Sequence, residues 1–481
     1  MSLVKRFAKD TAIYGIAAVL PKLINVLLVR LHTGILKPVV YSDNTQFYIY
    51  ATYFNVLLTL GMETAFFRFF TKYKDNRKVV QTAFSVILLN SLFFLTFFLL
   101  FSDRISGFLE IDKNYFQILI SILILDTLVV IPYAYLRVTN RPVKFAFYRL
   151  FNITVYAVLN IIFLWWLPKL IAADRLSEKM AFLYNEHPKV IYIFIANLIA
   201  SFLTFILFLP VLKRFKLGID KTLLKKMLAY GIPIMIAGLA YATNENLDKL
   251  LIGRLLDKES MGVYAAVYKI GVLMSLYVTA FRLGAEPYFF SQHKAKNAKE
   301  QYAHILLWFT ILGAVFMVGV MTFLDVIARL LIGQTVYLKA LNIVPVILTA
   351  YLLFGIYNNL SVWYKLTDRT RYAMFLSITG AVITIIFNIV MIPKIGYIAS
   401  AWATLAAYGT MSILSYFIGR KYYKIPYESF KIVFYVLTSS LTGFIIFRYF
   451  YDNYPVKLTL LLLYIIMVGV LEHRKLNQLL S

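Results

Sequence analysis

Fourteen apolar runs, each long enough to cross a bilayer as a helix, constrain what this chain can fold into more than any other feature. A helix rises about 1.5 Å per residue and the hydrocarbon core is about 30 Å thick, so one crossing takes roughly 20 mostly apolar residues. Such runs fall at 11–31, 47–69, 80–101, 115–136, 145–167, 189–211 and 227–247, then at 261–282, 303–324, 342–364, 372–392, 396–418, 429–450 and 456–472. With 61% hydrophobic and 15% charged residues, the chain is a poor match to a soluble enzyme, a disordered protein or a nucleic-acid binder. Its formal charge of +26 sits in short clusters between the apolar runs, which is the pattern of a polytopic membrane protein. The absence of Cys removes disulfides, thiolate metal sites and Cys nucleophiles together. The first run carries Lys22 and Arg30 and lacks a small-residue cleavage site, so it reads as a span and not as a cleavable signal.

Orientation follows from the basic residues. The N-terminal tail and every second loop carry the larger share of the 49 Lys and Arg, among them Lys72, Lys74, Arg77 and Lys78, then Lys213, Arg214 and Lys216. Positive residues are retained on the cytoplasmic side, which predicts a bacterial cytoplasmic-membrane protein with both termini cytoplasmic. An even number of crossings requires the same arrangement. The longest stretch outside a span, Pro168 to Pro188, is about 21 residues, too short for a nucleotide-binding or catalytic domain.

The chain resembles itself. Tyr14-Gly15-Ile16 matches Tyr230-Gly231-Ile232, and Leu60-Gly61-Met62-Glu63 matches Leu283-Gly284-Ala285-Glu286. Arg137-Val138-Thr139-Asn140-Arg141 matches Lys365-Leu366-Thr367-Asp368-Arg369, and Ala157-Val158 with Ile161-Ile162-Phe163 recurs as Ala381-Val382 with Ile385-Ile386-Phe387. The matches keep their order at nearly constant offset. Six helices per repeat place both copies in the membrane the same way, a parallel repeat related by an axis along the membrane normal. The expectation is an all-α membrane protein: a lobe at 1–216, a second at 217–425 around a central cavity, and two further helices at 426–481.

At this point a family resemblance is visible. Asp10-Thr11-Ala12-Ile13-Tyr14-Gly15, Asp248-Lys249-Leu250-Leu251-Ile252-Gly253, Gly262-Val263-Tyr264, Tyr268-Lys269-Ile270-Gly271 and Asn388-Ile389-Val390-Met391-Ile392-Pro393 with Gly396-Tyr397 and Ala399 carry it. The chain resembles the oligosaccharide-lipid flippases, relatives of the MATE drug transporters and the lipid II flippases. The usual Asp-Arg pair reads Asp248-Lys249 here, which keeps the charges. The resemblance implies movement of an undecaprenyl-pyrophosphate-linked oligosaccharide across the cytoplasmic membrane by alternating access. It implies a protein acting as a single chain, with polysaccharide assembly proteins as possible partners, and no cofactor beyond a coupling proton or Na⁺.

Charges inside the spans are the candidate site residues, because each costs ~2.5–3.5 kcal/mol at mid-depth and is retained for a reason. Lys22 and Lys269 either line a cationic substrate cavity or form helix-locking ion pairs. Arg149 and Arg282 rank next for substrate contact, with snorkelling to headgroups as the plain alternative. Asp126, midway through the fourth run, either couples an ion or makes a permanent hydrogen bond. Glu63 and Glu286 occupy equivalent positions and are expected to pair with Arg68 and Arg282, as gates or as structural locks. Glu245 and Asp248 make the outer end of the seventh run polar, as a gate, a cation site or an ordinary solvated helix end. The five His show no metal-ligand spacing. Competing readings are a lipid II flippase, a MATE-type cation exporter, which the basic excess inside the spans disfavours, and a membrane glycosyltransferase or polymerase, which has no use for the repeat.

Overall fold

The computed structural model describes residues 3–73, 75–175, 177–293, 295–367, 369 and 371–480, and among them the side chains of all but 3–12, 287, 290, 291, 474 and 476–480. The side chains of Lys5, Arg6, Lys9, Asp10 and Arg474, and the whole of Lys74 and Asp368, lie outside that set. Every regular element among the described residues is helical. Thirteen helices are long and apolar enough to cross a membrane. The chain divides into two compact units, Met1–Leu250 and Leu251–Ser481.

The first unit contains α1 (Leu3–Ile35), α2 (Pro38–Thr59), α3 (Met62–Lys72), α4 (Asn76–Leu100), α5 (Ser102–Leu109), α6 (Lys113–Leu128) and α7 (Val130–Val138). It continues through α8 (Pro142–Ile161), α9 (Leu167–Ala172), α10 (Glu178–Glu186), α11 (Val190–Leu212) and most of α12 (Lys221–Leu255). Pro38 and Pro142 occupy first-turn positions, where a missing N–H costs nothing. Asp112 caps α6 by accepting from the Asn114 N–H at 2.8 Å. Between α8 and α9 the backbone widens to a π-turn at Ile162–Trp166, just before Pro168, which has no N–H to give. The core stacks Phe47 on Phe194 with ring centroids 3.8 Å apart.

The run at 47–69 is the one that those thirteen candidate spans leave out. It is not one helix but the end of α2 and most of α3, broken where Leu60 and Gly61 both take positive φ (51° and 64°). The physical reason is a crossing. The backbone of Gly231 in α12 lies so close that a Cβ on Gly61 would stand 2.3 Å from the Gly231 carbonyl oxygen.

The second unit holds α13 (Lys258–Gln292), α14 (Ala298–Thr322), α15 (Leu324–Leu331), a 3₁₀ stretch at Thr335–Ile343, α16 (Val344–Leu360), α17 (Val362–Leu366), α18 (Arg371–Ile395), α19 (Ile398–Tyr422), α20 (Ser429–Tyr449) and α21 (Tyr454–Leu480). Its centre is α16, packed on α13, α14 and α19. Buried phenols find partners there: the Tyr268 and Tyr351 hydroxyls are 3.0 Å apart, and the Trp363 indole N–H donates to Ser415 Oγ at 3.2 Å.

The last two helices dock against α14 and are clamped at both ends by ions. At one end Asp325 accepts from Lys457 Nζ at 2.9 Å and from the Tyr454 hydroxyl at 2.6 Å. At the other, buried Glu472 accepts from Lys431 at 2.6 Å and Tyr435 at 2.9 Å, and Lys475 pairs with Glu428. Lys457 is only 1% exposed, so Asp325→Asn strands a buried cation. Breaking such a pair costs about 3–5 kcal/mol, and the variant should show a markedly lower unfolding temperature in detergent. Burial works to raise the Asp325 pKa, but the Tyr454 and Lys457 donors outweigh it and hold the carboxyl below its ordinary range. A depressed carboxylate gives stability that is full above about pH 4 and lost as pH falls through the folded-state pKa. The gap between wild type and Asp325→Asn should therefore narrow only in acid.

Candidate functional site

A seam of polar side chains runs through the first unit, contributed by α1, α2, α6, α8 and α11. His32 Nε2 lies 2.8 Å from Asn160 Oδ1, and Asn160 Nδ2 donates to the Tyr156 carbonyl at 2.8 Å. The Tyr156 and Tyr48 hydroxyls are 3.1 Å apart, and Asn197 Nδ2 donates to Tyr48 at 3.4 Å. Asp126 on α6 is half-buried, beside Ser201 of α11 and within electrostatic reach of Arg149 and Tyr48. The Arg149 guanidinium sits 4.6 Å from the centroid of the Tyr133 ring.

Lys22 belongs to the same neighbourhood by register. α1 and α8 run parallel, since Tyr14 meets Phe145 (centroids 5.4 Å apart) and His32 meets Asn160. Lys22 lies eight residues past Tyr14 and Arg149 four past Phe145. At 1.5 Å per residue, their levels along the helices differ by about 6 Å. Both side chains are exposed on the unit. A carboxylate among phenols, amides and an arginine has the chemistry to respond to a proton or a small cation. Two cations at nearby depth suit an anion.

The equivalent glutamates make equivalent ion pairs, but not with the arginines expected from sequence. Glu63 Oε1 pairs with Arg137 at 3.3 Å, and Glu286 Oε1 pairs with Lys365 at 2.6 Å. Arg137 and Lys365 are themselves matched positions of the duplication. Arg68 instead lies over the Tyr230 ring at 4.4 Å. Arg282 lines a cavity of about 20 Å³, room for one water, together with Glu286, Asn358, Asn359 and Lys365. Each Glu reaches instead a cation of another helix, on α7 or α17, while Arg68 turns to the Tyr230 ring and Arg282 shares the small cavity with the Glu286–Lys365 pair. Both pairs are substantially solvated, with side-chain exposures of 45%/45% and 29%/39%. A double-mutant cycle on Glu286 and Lys365 should give a coupling of ~0.5–1 kcal/mol, larger than that for Glu63 and Arg137.

At the far end of α12, Asp248 is fully buried and Lys249 is 5% exposed, joined at 3.0 Å. Lys249 Nζ also donates to the Glu245 carbonyl at 2.7 Å. Asp248 is therefore not part of a solvated helix end, because the helix packs there and the neighbouring ammonium neutralises it. Glu245 is half-buried. Lys269 is exposed on α13 between buried Tyr268 and Ile270. Among the described residues no group of three His, Asp or Glu side chains is placed to hold a metal ion. His32, Tyr48 and Tyr156 were not singled out from sequence, since isolated polar residues in apolar runs give no signal of converging.

The family described as polysaccharide biosynthesis protein matches residues 7–292, and the one described as MatE matches residues 233–390. No curated protein matches the sequence. Among solved structures, the chain is similar to a lipid II flippase, MurJ, in an inward closed conformation, with a TM-score of 0.73 at 17% identity over 96% of this chain and 99% of that one. It is also similar to an inward-facing multidrug resistance MATE family transporter of the MOP superfamily (TM-score 0.63, 13% identity, 87% of this chain and 96% of that one). A MOP superfamily transporter from Pyrococcus furiosus, described as having a binding pocket of reverse polarity, follows at a TM-score of 0.59, 13% identity and 87% and 95% coverage. At these identities the likeness establishes a shared fold.

Proposed function

This chain belongs to the polysaccharide biosynthesis protein family, and on that premise we propose that it flips an undecaprenyl-pyrophosphate-linked oligosaccharide from the cytoplasmic to the outer leaflet by alternating access. A hydrated sugar and a pyrophosphate cannot cross hydrocarbon unaided, because each unpaired polar group costs several kcal/mol there. The observation that carries the reading is the placement of Lys22 and Arg149 at nearby depth, both exposed, on a unit whose fold is that of a membrane transporter. Lys22, Arg149, Lys269 and Arg282 are assigned to the anionic cargo. Asp126 is assigned to coupling, by a proton or Na⁺, because it puts a carboxylate within electrostatic reach of Arg149, an exposed cargo cation. Glu63 and Glu286 gate through Arg137 and Lys365, and Glu245 and Asp248 serve the opposite end. Both termini are cytoplasmic in this reading, and no covalent bond is made or broken.

The test is deletion in the native host followed by leaflet-resolved assay of the sugar-lipid. Accumulation in the cytoplasmic leaflet with loss of surface glycan supports the proposal. Normal surface glycan, with no redundant transporter in that host, defeats it. A lipid II flippase is the second reading, favoured by end-to-end similarity to the MurJ fold. It requires that the chain sustain growth of cells depleted of their own lipid II flippase.

A further inference from the structure

A second cationic site lies in the first unit, lined by none of the residues assigned to transport. Where α3 ends, α4 begins, α7 ends and α11 runs into α12, a cavity of about 460 Å³ opens. Arg77, Arg214 and Lys216 line it, all exposed, together with Gln81. Its apolar wall is aromatic. Tyr135 stands edge-on to Phe215 with centroids 5.4 Å apart and to Phe70 at 6.3 Å. Among the described residues that line it, none is acidic. The nearby Asp75 is engaged as the cap of α4, accepting from the Arg77 N–H at 3.2 Å.

The loop that carries Arg214 and Lys216 is fixed against α4. The Gly218 N–H donates to Ser85 Oγ at 3.0 Å and the Asp220 N–H to Thr82 Oγ1 at 3.1 Å. Asp220 then caps α12 by accepting from the Leu223 N–H at 2.9 Å. The cations are thus held on a tethered backbone, which lowers the ordering cost of binding. Retention of positive charge on one side of the membrane explains why Lys and Arg stand near these helix ends. It does not require three of them to converge on one aromatic-walled concavity without a carboxylate.

We propose that this cavity binds a phosphate-bearing ligand, with Arg77, Arg214 and Lys216 holding the phosphate and the Tyr135–Phe215 wall packing on the organic body. Two arginines offer planar forks that match phosphate oxygens in pairs. The volume falls within the range of small-molecule sites, well above that of a bare phosphate. The cavity lies at the ends of spans, so the phosphate has two sources: the headgroup of an anionic phospholipid, or a soluble phosphate compound. The proposal stands independently of the cargo assigned above.

The test uses the full chain purified in neutral detergent. Its unfolding temperature is followed while phosphatidylglycerol, phosphatidylcholine or inorganic pyrophosphate is titrated in. The expected result is saturable stabilisation by phosphatidylglycerol or pyrophosphate, with phosphatidylcholine well below either. The midpoint should move at least tenfold in Arg77→Gln/Arg214→Gln/Lys216→Gln and stay put in Lys213→Gln, a neighbouring cation that does not line the cavity. Response to phosphatidylglycerol alone identifies a lipid headgroup, to pyrophosphate alone a soluble ligand, and to both the phosphate itself. If the triple variant does not fold, Arg214→Gln alone should move the midpoint in the same direction. No saturable response to either anion, or midpoints unaltered in the cavity variants, overturns the proposal.

Discussion

Lys22→Ala is expected to reduce translocation of the sugar-lipid by roughly 10–100-fold while leaving the protein at its normal abundance in the membrane. The magnitude is that of one charge-assisted hydrogen bond, about 1.5–3 kcal/mol, removed from the cargo. Lys22 lies eleven residues into its apolar run, about 16 Å deep by helical rise, which is far for an ammonium to reach the headgroups. It is exposed on the first unit, about 6 Å along the helices from the level of Arg149. A lysine held there only as a helix lock predicts the opposite pattern, with the alanine variant losing abundance and the surviving protein exporting normally. Lys22→Arg separates the two further, since it preserves the charge and should retain most of the export. The measurement is leaflet-resolved sugar-lipid together with membrane protein level, both per cell. Wild-type export by the alanine variant would remove Lys22 from the site.

The spans were legible because a bilayer imposes one rule on every crossing, enough apolar residues to bridge it, and that rule is written locally. Partners across helices are not written that way. Reading outward from Glu63 and Glu286 finds Arg68 and Arg282, the nearest cations on the same stretch, whereas the actual partners Arg137 and Lys365 come from another helix. The sequence did hold that signal in another form: both partners belong to a matched motif of the duplication, as the glutamates do. The burial of Asp248 was illegible for a related reason. A run of Asn244, Glu245, Asn246 and Asp248 looks like a wet helix end until the packing around it is known, and only then does Lys249 become its neutralising neighbour. The seam from His32 to Asn197 depends on five helices meeting, which no single run records.

Gly61→Ala should be the most damaging small substitution in the first unit, and its matched position in the second repeat provides the control. Leu60-Gly61-Met62-Glu63 and Leu283-Gly284-Ala285-Glu286 are nearly the same words in sequence, yet α13 passes through Gly284 unbroken while Gly61 takes φ +64°. A Cβ on Gly61 would stand 2.3 Å from the Gly231 carbonyl oxygen and 3.0 Å from its carbon, and both are backbone atoms that cannot swing aside. The reciprocal Cβ on Gly231 would meet the Leu60 carbonyl oxygen at 2.7 Å. The left-handed conformation alone costs a side chain roughly 1–2 kcal/mol, and overpacking adds about 1–3. Gly61→Ala is therefore expected to lose on the order of 3 kcal/mol and to unfold at a clearly lower temperature in detergent, with Gly231→Ala close behind. Gly284→Ala meets nothing within 4 Å and should gain up to about 1 kcal/mol from helix propensity. Equal unfolding temperatures for Gly61→Ala and Gly284→Ala would mean that α12 does not cross the α2–α3 break in close contact. The opposite signs expected from one repeated motif arise only if tertiary contact, and not local sequence, decides where the helix breaks.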